Sequence, residues 1–389
     1  MTAEEARRYE ALDSQAARIM AVFSREGYEH VAPSIIQPAG VFLDRVGEAI
    51  RSRMYVFSDP EGRELCLRPD LTIPVCRLYL ERGAPPNAVV RYAYNGPAFR
   101  YPGKPDANRP REFRQAGVEC FGICDREVCD AEILALTVEA TRAAGLKRFA
   151  LRLGDLGLFN ALLAALPMPD RWRDRLAHRF WRPQAFHDLL HRLAGDARPG
   201  REVSLAALIS SLDADPRRAV AQVASYLESA AIPAIGARSI EEIAERLIHE
   251  AADMKEKPLS RNIVHLIESY LGISGPPKRA LAEVRELAAA AGVDLRDSME
   301  AFERRLRFIS AAGVDAHRAV FSAGFGREFE YYTGFVFQIE APGEGGLRIA
   351  GGGRYDGLLK AIGAPADAPA AGSAIHTERL LAAVDGEPA

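Results

Sequence analysis

The stretch IAGGGRYDGLL, residues 349–359, carries an apolar extended run through three consecutive glycines into a helical pattern. Gly352 and Gly357 have the outer spacing of a phosphate loop, but such a loop needs Lys and Ser or Thr directly after its second glycine. Leu358 and Leu359 stand there instead. A dinucleotide fingerprint fails as well, because the sixth position counted from Gly351 is Asp356. What remains is a tight strand-to-helix turn. Just upstream, EYYTGFVFQIEAP (330–342) has the aromatic and β-branched content of a strand.

The same texture recurs near the N-terminus. MYVFSD (54–59), ELCLRPD (64–70), VVRYAYNGPAFR (89–100), REFRQAGVECFGI (111–123) and FALRLGD (149–155) read as strands bounded by Pro, Gly and Asp. Helical spacing governs 3–27, which stops at Gly27, and DAEILALTVEATRAAGL (130–146). From 166 to 312 the pattern is a series of amphipathic helices separated by Pro and Gly breaks. AVFSAGF (319–325) returns to strand chemistry, GAPADAPAAG (363–372) reads as a loop, and SAIHTERLLAAV (373–384) as a closing helix. Extended structure at both ends around a helical middle predicts an α+β fold. Its core is discontinuous, 1–165 and 313–389, with a helical insertion at 166–312.

Apolar residues make up 48% of the 389 and the formal net charge is only −3, which fits a globular protein and argues against a strongly basic nucleic-acid binder. The N-terminus is charged and lacks the apolar core of a signal peptide, and no apolar run is long enough for a membrane helix. A cytoplasmic location is expected. Cys66, Cys76, Cys120, Cys124 and Cys129 form no CxxC pair and no disulfide framework, so buried thiols are expected. HDLLH (187–191) sets His187 and His191 four apart, as two zinc ligands would be. Asp188 replaces the glutamate of the zinc-peptidase motif, however, and Arg182 and Arg192 make this a solvated face. No metal and no cofactor is expected. FRYPGKPDANRPREFRQ (99–115) holds Arg100, Arg109, Arg111 and Arg114 with Lys104. Such a loop is either solvated or clamps carboxylate or phosphate, and pattern alone leaves both open.

Taken in order, these segments resemble the catalytic core of the histidyl-tRNA synthetases, a class II synthetase fold with an antiparallel sheet flanked by helices. GYEHVAPSI (27–35) looks like motif 1, whose Pro33 would lie at a dimer interface. LRPDLT (67–72) is similar to the family's LRPE-x-T, and GPAFRY with REFRQAGVECFG to motif 2 and its following strand. YYTGFVF and GGGRYDGL match the two histidine-specific signatures, and AIHTERL falls at motif 3. The resemblance implies a histidine pocket. Asp70, Thr72 and Gln115 would hold the α-amino group, and Glu119 and Tyr332, with Tyr331 beside it, the imidazole. Arg100 and Arg327 would face a carboxylate or phosphate. Gly352, Gly353 and Tyr355 would form the wall, the glycines letting backbone approach the ligand and Tyr355 or Arg354 fixing the turn.

The departures from that family point elsewhere. Pro102 replaces the motif 2 glutamate that contacts adenine, and His376 replaces a motif 3 glycine against which adenine stacks, three residues before the motif arginine, Arg379. Glu328 and Glu330 stand where the family has Gly and Asp. The chain stops nine residues after Leu380, leaving no room for an anticodon-binding domain, so tRNA binding is not expected. A synthetase-like core with these changes resembles the regulatory subunits of ATP phosphoribosyltransferase. That resemblance implies a non-catalytic role in the first step of histidine biosynthesis: activation of a short-form catalytic subunit and feedback inhibition by histidine. Two alternatives stay open, a truncated enzyme that still makes histidyl-adenylate and a stand-alone histidine sensor.

Overall fold

The structure is a computed structural model. It describes residues 2–43, 51–83, 88–103, 110–122, 125–196, 203–213, 215–230, 239–326, 331–342 and 346–386. Two compact units divide the chain, Met1–Trp181 with Ser269–Ala389, and Arg182–Glu268.

The larger unit is built on strands β1 (Glu29–His30), β2 (Ile36–Pro38), β3 (Tyr55–Ser58), β4 (Glu64–Leu67), β5 (Val90–Phe99) and β6 (Glu112–Phe121). It continues with β7 (Ala150–Asp155), β8 (Ser274–Gly275), β9 (Val320–Ser322), β10 (Phe335–Glu340), β11 (Arg348–Arg354) and β12 (Ala370–His376). A nine-stranded sheet runs β1-β5-β6-β12-β11-β10-β7-β9-β8, and a small sheet runs β2-β4-β3. Pairing in the large sheet is antiparallel except for β1 with β5 and β7 with β9. The α+β class with a synthetase-like antiparallel sheet is what the sequence predicts.

The hairpin of β5 and β6 is paired over its full length, from Val90 opposite Phe121 to Phe99 opposite Glu112. The strand alternation gives each face its own character. Val118 and Ser373 point to one face, where Ser373 Oγ meets Thr137 Oγ1 of the helix Arg126–Ala143 at 2.6 Å. That helix, Ala3–Arg25 and Thr377–Asp385 pack on the sheet through apolar residues such as Ile19, Leu134 and Leu380. Thr2 and Glu5 close a capping box that starts the first of these helices.

One reading of the sequence is corrected. The closing helix begins at Thr377, not Ser373, and the Ala-Gly-rich stretch before it is the central strand β12. Its composition lacks a strand signature because Gly372 stands opposite Glu119, where a Cβ would overlap the carboxylate and lie 2.6 Å from Val118 O. Sequence neighbours alone carry no trace of that demand.

Helices Pro277–Ala291 and Arg296–Ala311 belong to the larger unit, although their texture matches the helical middle. Arg305 anchors the second of them: Nε donates to Asp130 Oδ2 at 2.8 Å and Nη1 to Asp155 Oδ2 at 2.7 Å. Asp130 also takes Arg354 Nε at 2.9 Å, so two helices and two strands meet in a buried ion network. The smaller unit, inside the segment 166–312, is helical, with a core of Ile209, Val223, Ala244 and Leu247. Among the described residues no helix is long and apolar enough to cross a membrane. Cys66, Cys76, Cys120 and Cys129 are buried thiols, and Cys124 lies outside the described residues.

Candidate functional site

The alternation of β6 puts Gln115, Gly117 and Glu119 on the face opposite the Ser373–Thr137 contact. The antiparallel register sets His376, Ala374 and Gly372 beside them. Asp70 and Thr72 enter from the end of β4, at the start of the helix Thr72–Arg82. Tyr331 and Tyr332 come in ahead of β10, and Tyr355 from the turn after β11. These side chains, with Gly351 and backbone at Ser373, line one narrow cleft whose free volume is about 10 Å³.

Two carboxyl groups dominate its electrostatics. Glu119 has no exposure. Tyr94 Oη donates to its Oε1 at 3.1 Å and Tyr355 Oη donates to Oε2. Burial lifts the Glu119 pKa to about 8, against the opposing hydrogen bonds from Tyr355, Thr72 and Tyr94. Burial also raises Asp70, with the Arg100 and Arg68 charges acting against it. Asp70 Oδ1 accepts from Ile73 N at 3.2 Å, whereas Asp70 Oδ2 and Gln115 Oε1 are buried acceptors without a donor. Leaving such atoms unpaired costs roughly 1–3 kcal/mol each, so the cleft is built to receive N–H donors. Among the described residues no Lys or Arg lines it. A ligand with a cationic amine at one end and a ring N–H at the other answers both ends.

Asp70, Thr72, Gln115, Glu119, Tyr331, Tyr332 and Tyr355, singled out in the sequence, are thus brought together. Gly352 and Gly353 are not part of the lining. A Cβ at Gly352 would lie 2.6 Å from Ser373 Cβ and 2.9 Å from Phe337 Cζ, and one at Gly353 would lie 2.9 Å from Val336 Cγ1. Close strand packing, not ligand approach, demands these two glycines; Gly351 and Gly372 line the cleft instead. Arg354 fixes the turn, donating to Asp130, to Asp356 at 2.8 Å and to Arg126 O at 2.9 Å. Tyr94 was missed, although the alternation of VVRYAYN puts it on the face of Tyr92 and Gly96, and Gly96 stands opposite Gln115.

Arg100, His376 and Arg379 line an adjoining cleft of about 380 Å³. Arg100 Nε donates to Pro69 O at 2.8 Å and its guanidinium sits 5.0 Å over the Phe113 ring. Arg379 Nη1 donates to Arg348 O at 3.2 Å. The His376 ring packs 5.3 Å from Phe113 and walls both clefts. Pro102, half-buried, follows Arg100 and lines neither, and Arg327 lies outside the described residues.

A family model described as "Histidyl-tRNA synthetase" matches residues 1–247 and 220–380. The chain is 21% identical to a solved structure from Bacillus halodurans described as an ATP phosphoribosyltransferase regulatory subunit/histidyl-tRNA synthetase. The match has a TM-score of 0.66 and covers 97% of this chain and 80% of that one. A histidine–tRNA ligase subunit from Alicyclobacillus acidocaldarius matches at TM-score 0.59 and 23% identity, over 99% of this chain and 95% of that one. The family model spans nearly the whole chain and defines a protein of the histidyl-tRNA synthetase class, and the solved structures share its fold. Closer relatives divide that class further. The ATP phosphoribosyltransferase regulatory subunit of Mesorhizobium japonicum is 37% identical over 96% of this chain and 98% of its own length, and that of Sinorhizobium fredii 35% over 96% and 97%. The chain belongs to the family of ATP phosphoribosyltransferase regulatory subunits.

Proposed function

We propose that this chain is the non-catalytic regulatory subunit of ATP phosphoribosyltransferase, the enzyme of the first step of histidine biosynthesis. It activates a short-form catalytic subunit, on which phosphoribosyl transfer to ATP takes place, and it conveys feedback inhibition by histidine. The effector part of this reading rests on one observation, the buried acceptors Asp70 Oδ2 and Gln115 Oε1 facing a cleft that ends at Glu119. An α-ammonium group has donors for the first two, and an imidazole N–H serves Glu119. An amino acid with an apolar side chain would leave Glu119 without that bond and be rejected. Tyr331 and Tyr332 close the cleft, and Arg327 would face the carboxylate.

Histidine enters by taking Glu119 from the Tyr355 hydroxyl, because the cleft without ligand has no space for it. Tyr355 follows directly on Arg354, whose partner Asp130 also holds Arg305. Cleft and buried network therefore share one strand end. An effector that binds two arrangements of that end unequally shifts their balance. Self-association through the motif 1 region is supported by Ile35, Ile36, Val56 and Phe57, large apolar side chains exposed on and beside the small sheet. The segment 166–312 acts as a helical insertion, the location is cytoplasmic, and tRNA is not a ligand.

The test is reconstitution. Added to a short-form catalytic subunit, the chain should co-purify with it, raise its activity and make it sensitive to histidine; no rise in activity refutes the regulatory reading. Glu119→Ala should lose histidine affinity at least about tenfold, and unchanged affinity refutes the cleft as the effector site. A second reading, adenylate formation, is favoured by Arg100 and Arg379 lining the adjoining cleft. Histidine-dependent exchange of pyrophosphate into ATP measures it directly. The His376 ring against Phe113 and the loss of an acceptor at Pro102 predict none.

A further inference from the structure

The helix Pro183–Leu193 of the smaller unit puts His187 and His191 one turn apart, with ring centroids 4.1 Å from each other. Glu268, on the helix Arg261–Gly272, faces both. Its Oε1 lies 2.9 Å from His191 Nε2 and 3.4 Å from His187 Nε2. One donor atom from each of the three groups falls within 4.8 Å of the other two. A tetrahedral ion with bonds of about 2.0–2.1 Å asks for ligand atoms roughly 3.3 Å apart, which small side-chain rotations reach from here.

His191 is also oriented from behind. Its Nδ1 lies 2.9 Å from Asp196 Oδ2, and Arg261 Nη1 holds the same oxygen at 3.1 Å. An imidazole whose Nδ1–H donates to a carboxylate offers Nε2 to a metal, which is how ligating histidines are commonly positioned. The HDLLH spacing lacks a glutamate at 188. The fold supplies the carboxylate from another helix.

We propose that His187 Nε2, His191 Nε2 and Glu268 Oε1 form a site for a divalent first-row transition metal, with Asp196 as the positioning residue and water completing the tetrahedron. Two imidazoles and one carboxylate suit zinc, nickel or copper(II), whereas magnesium and calcium take all-oxygen shells. The ion staples the helix Pro183–Leu193 to Arg261–Gly272.

Zinc titrated by calorimetry into the untagged full-length chain at neutral pH should bind at one site per chain, with Mg²⁺ in millimolar excess causing no competition. His187→Ala and Glu268→Gln should each weaken binding at least about tenfold. Asp196→Asn, which touches no metal, should weaken it about ten- to a hundredfold. His187 and Glu268 are 57% and 38% exposed, so these changes leave packing intact, and circular dichroism checks that each variant folds. Zinc should raise the Tm of the wild type and leave that of the His187→Ala/Glu268→Gln variant unmoved. The proposal is overturned if the double variant binds zinc as the wild type does, or if the wild type binds none at about 100-fold excess.

Discussion

Glu119 sits between two tyrosine hydroxyls with no exposure, and burial lifts its pKa from 4.5 to about 8. The unfolded chain gives up that proton near 4.5, whereas the folded protein holds it to about 8. Between these limits the folded state binds more protons, so the stability Glu119 contributes is full below 4.5 and is lost as pH rises through 8. The slope is about 1.4 kcal/mol per pH unit, and across the window the loss reaches roughly 5 kcal/mol. That rivals the whole stability of a marginal domain, about 5–15 kcal/mol. Glu119→Gln keeps the side-chain shape and an acceptor oxygen but removes the titration. Urea unfolding of both proteins at pH 5, 6, 7 and 8, followed by tryptophan fluorescence and circular dichroism, reads the difference, in which titrations common to both cancel. The variant should gain on the wild type by about 1 kcal/mol or more per pH unit. A difference that stays flat from pH 5 to 8 refutes a carboxyl held neutral by burial.

Tyr355→Phe removes the hydroxyl on Glu119 Oε2 and should cost roughly 1–3 kcal/mol in urea unfolding at pH 6. The same variant should bind histidine several-fold more tightly by calorimetry, since the ligand no longer competes with that hydroxyl. Arg305→Ala leaves Asp155 buried without its cation and Asp130 with Arg354 alone, and a loss of roughly 3–5 kcal/mol is expected; less than 1 kcal/mol would show the network to be dispensable. Gly372→Ala should lower the Tm steeply or prevent folding, because the new methyl overlaps Glu119. Gly40→Ala, with nothing within 4 Å, should stay within about 0.5 kcal/mol of the wild type.

Much of the sheet is legible in the sequence because its strands carry their own chemistry. FVFQIE and VVRYAYNGPAFR are rich in aromatic and β-branched residues, and both form strands. The central strand β12 is not legible, since its small residues answer to Glu119 and Val118 across the register, far away in sequence. The same limit applies to the site. Asp70, Gln115 and Glu119 sit in recognisable segments, but the hydroxyls on Glu119 come from Tyr94 and Tyr355, and only the folded register brings them there. Gly352 and Gly353 mislead for a related reason. A glycine needed by a neighbouring strand and one needed by a ligand look identical in a sequence. Helical texture likewise does not say which helices Arg305 ties to the sheet.

The pocket without ligand is already paired at one end and unpaired at the other. Glu119 has two tyrosine hydroxyls, while Asp70 Oδ2 and Gln115 Oε1 have no donor. A ligand therefore gains most at the amine end, where it meets atoms that were costing free energy. At the ring end it exchanges one hydrogen bond for another and gains little net energy. On the proposed reading, amine contacts supply affinity and the exchange at Glu119 supplies selectivity, because a side chain that cannot replace the displaced hydroxyl leaves a buried carboxyl short of a partner. The exchange has a mechanical side too. Tyr355 directly follows Arg354, which is pinned through Asp130 to the same network as Arg305, so a shift of Tyr355 that reaches its backbone bears on that network. An effector shifts an equilibrium only by binding its two states unequally, and on the proposed reading the exchange at Glu119 is where that inequality arises.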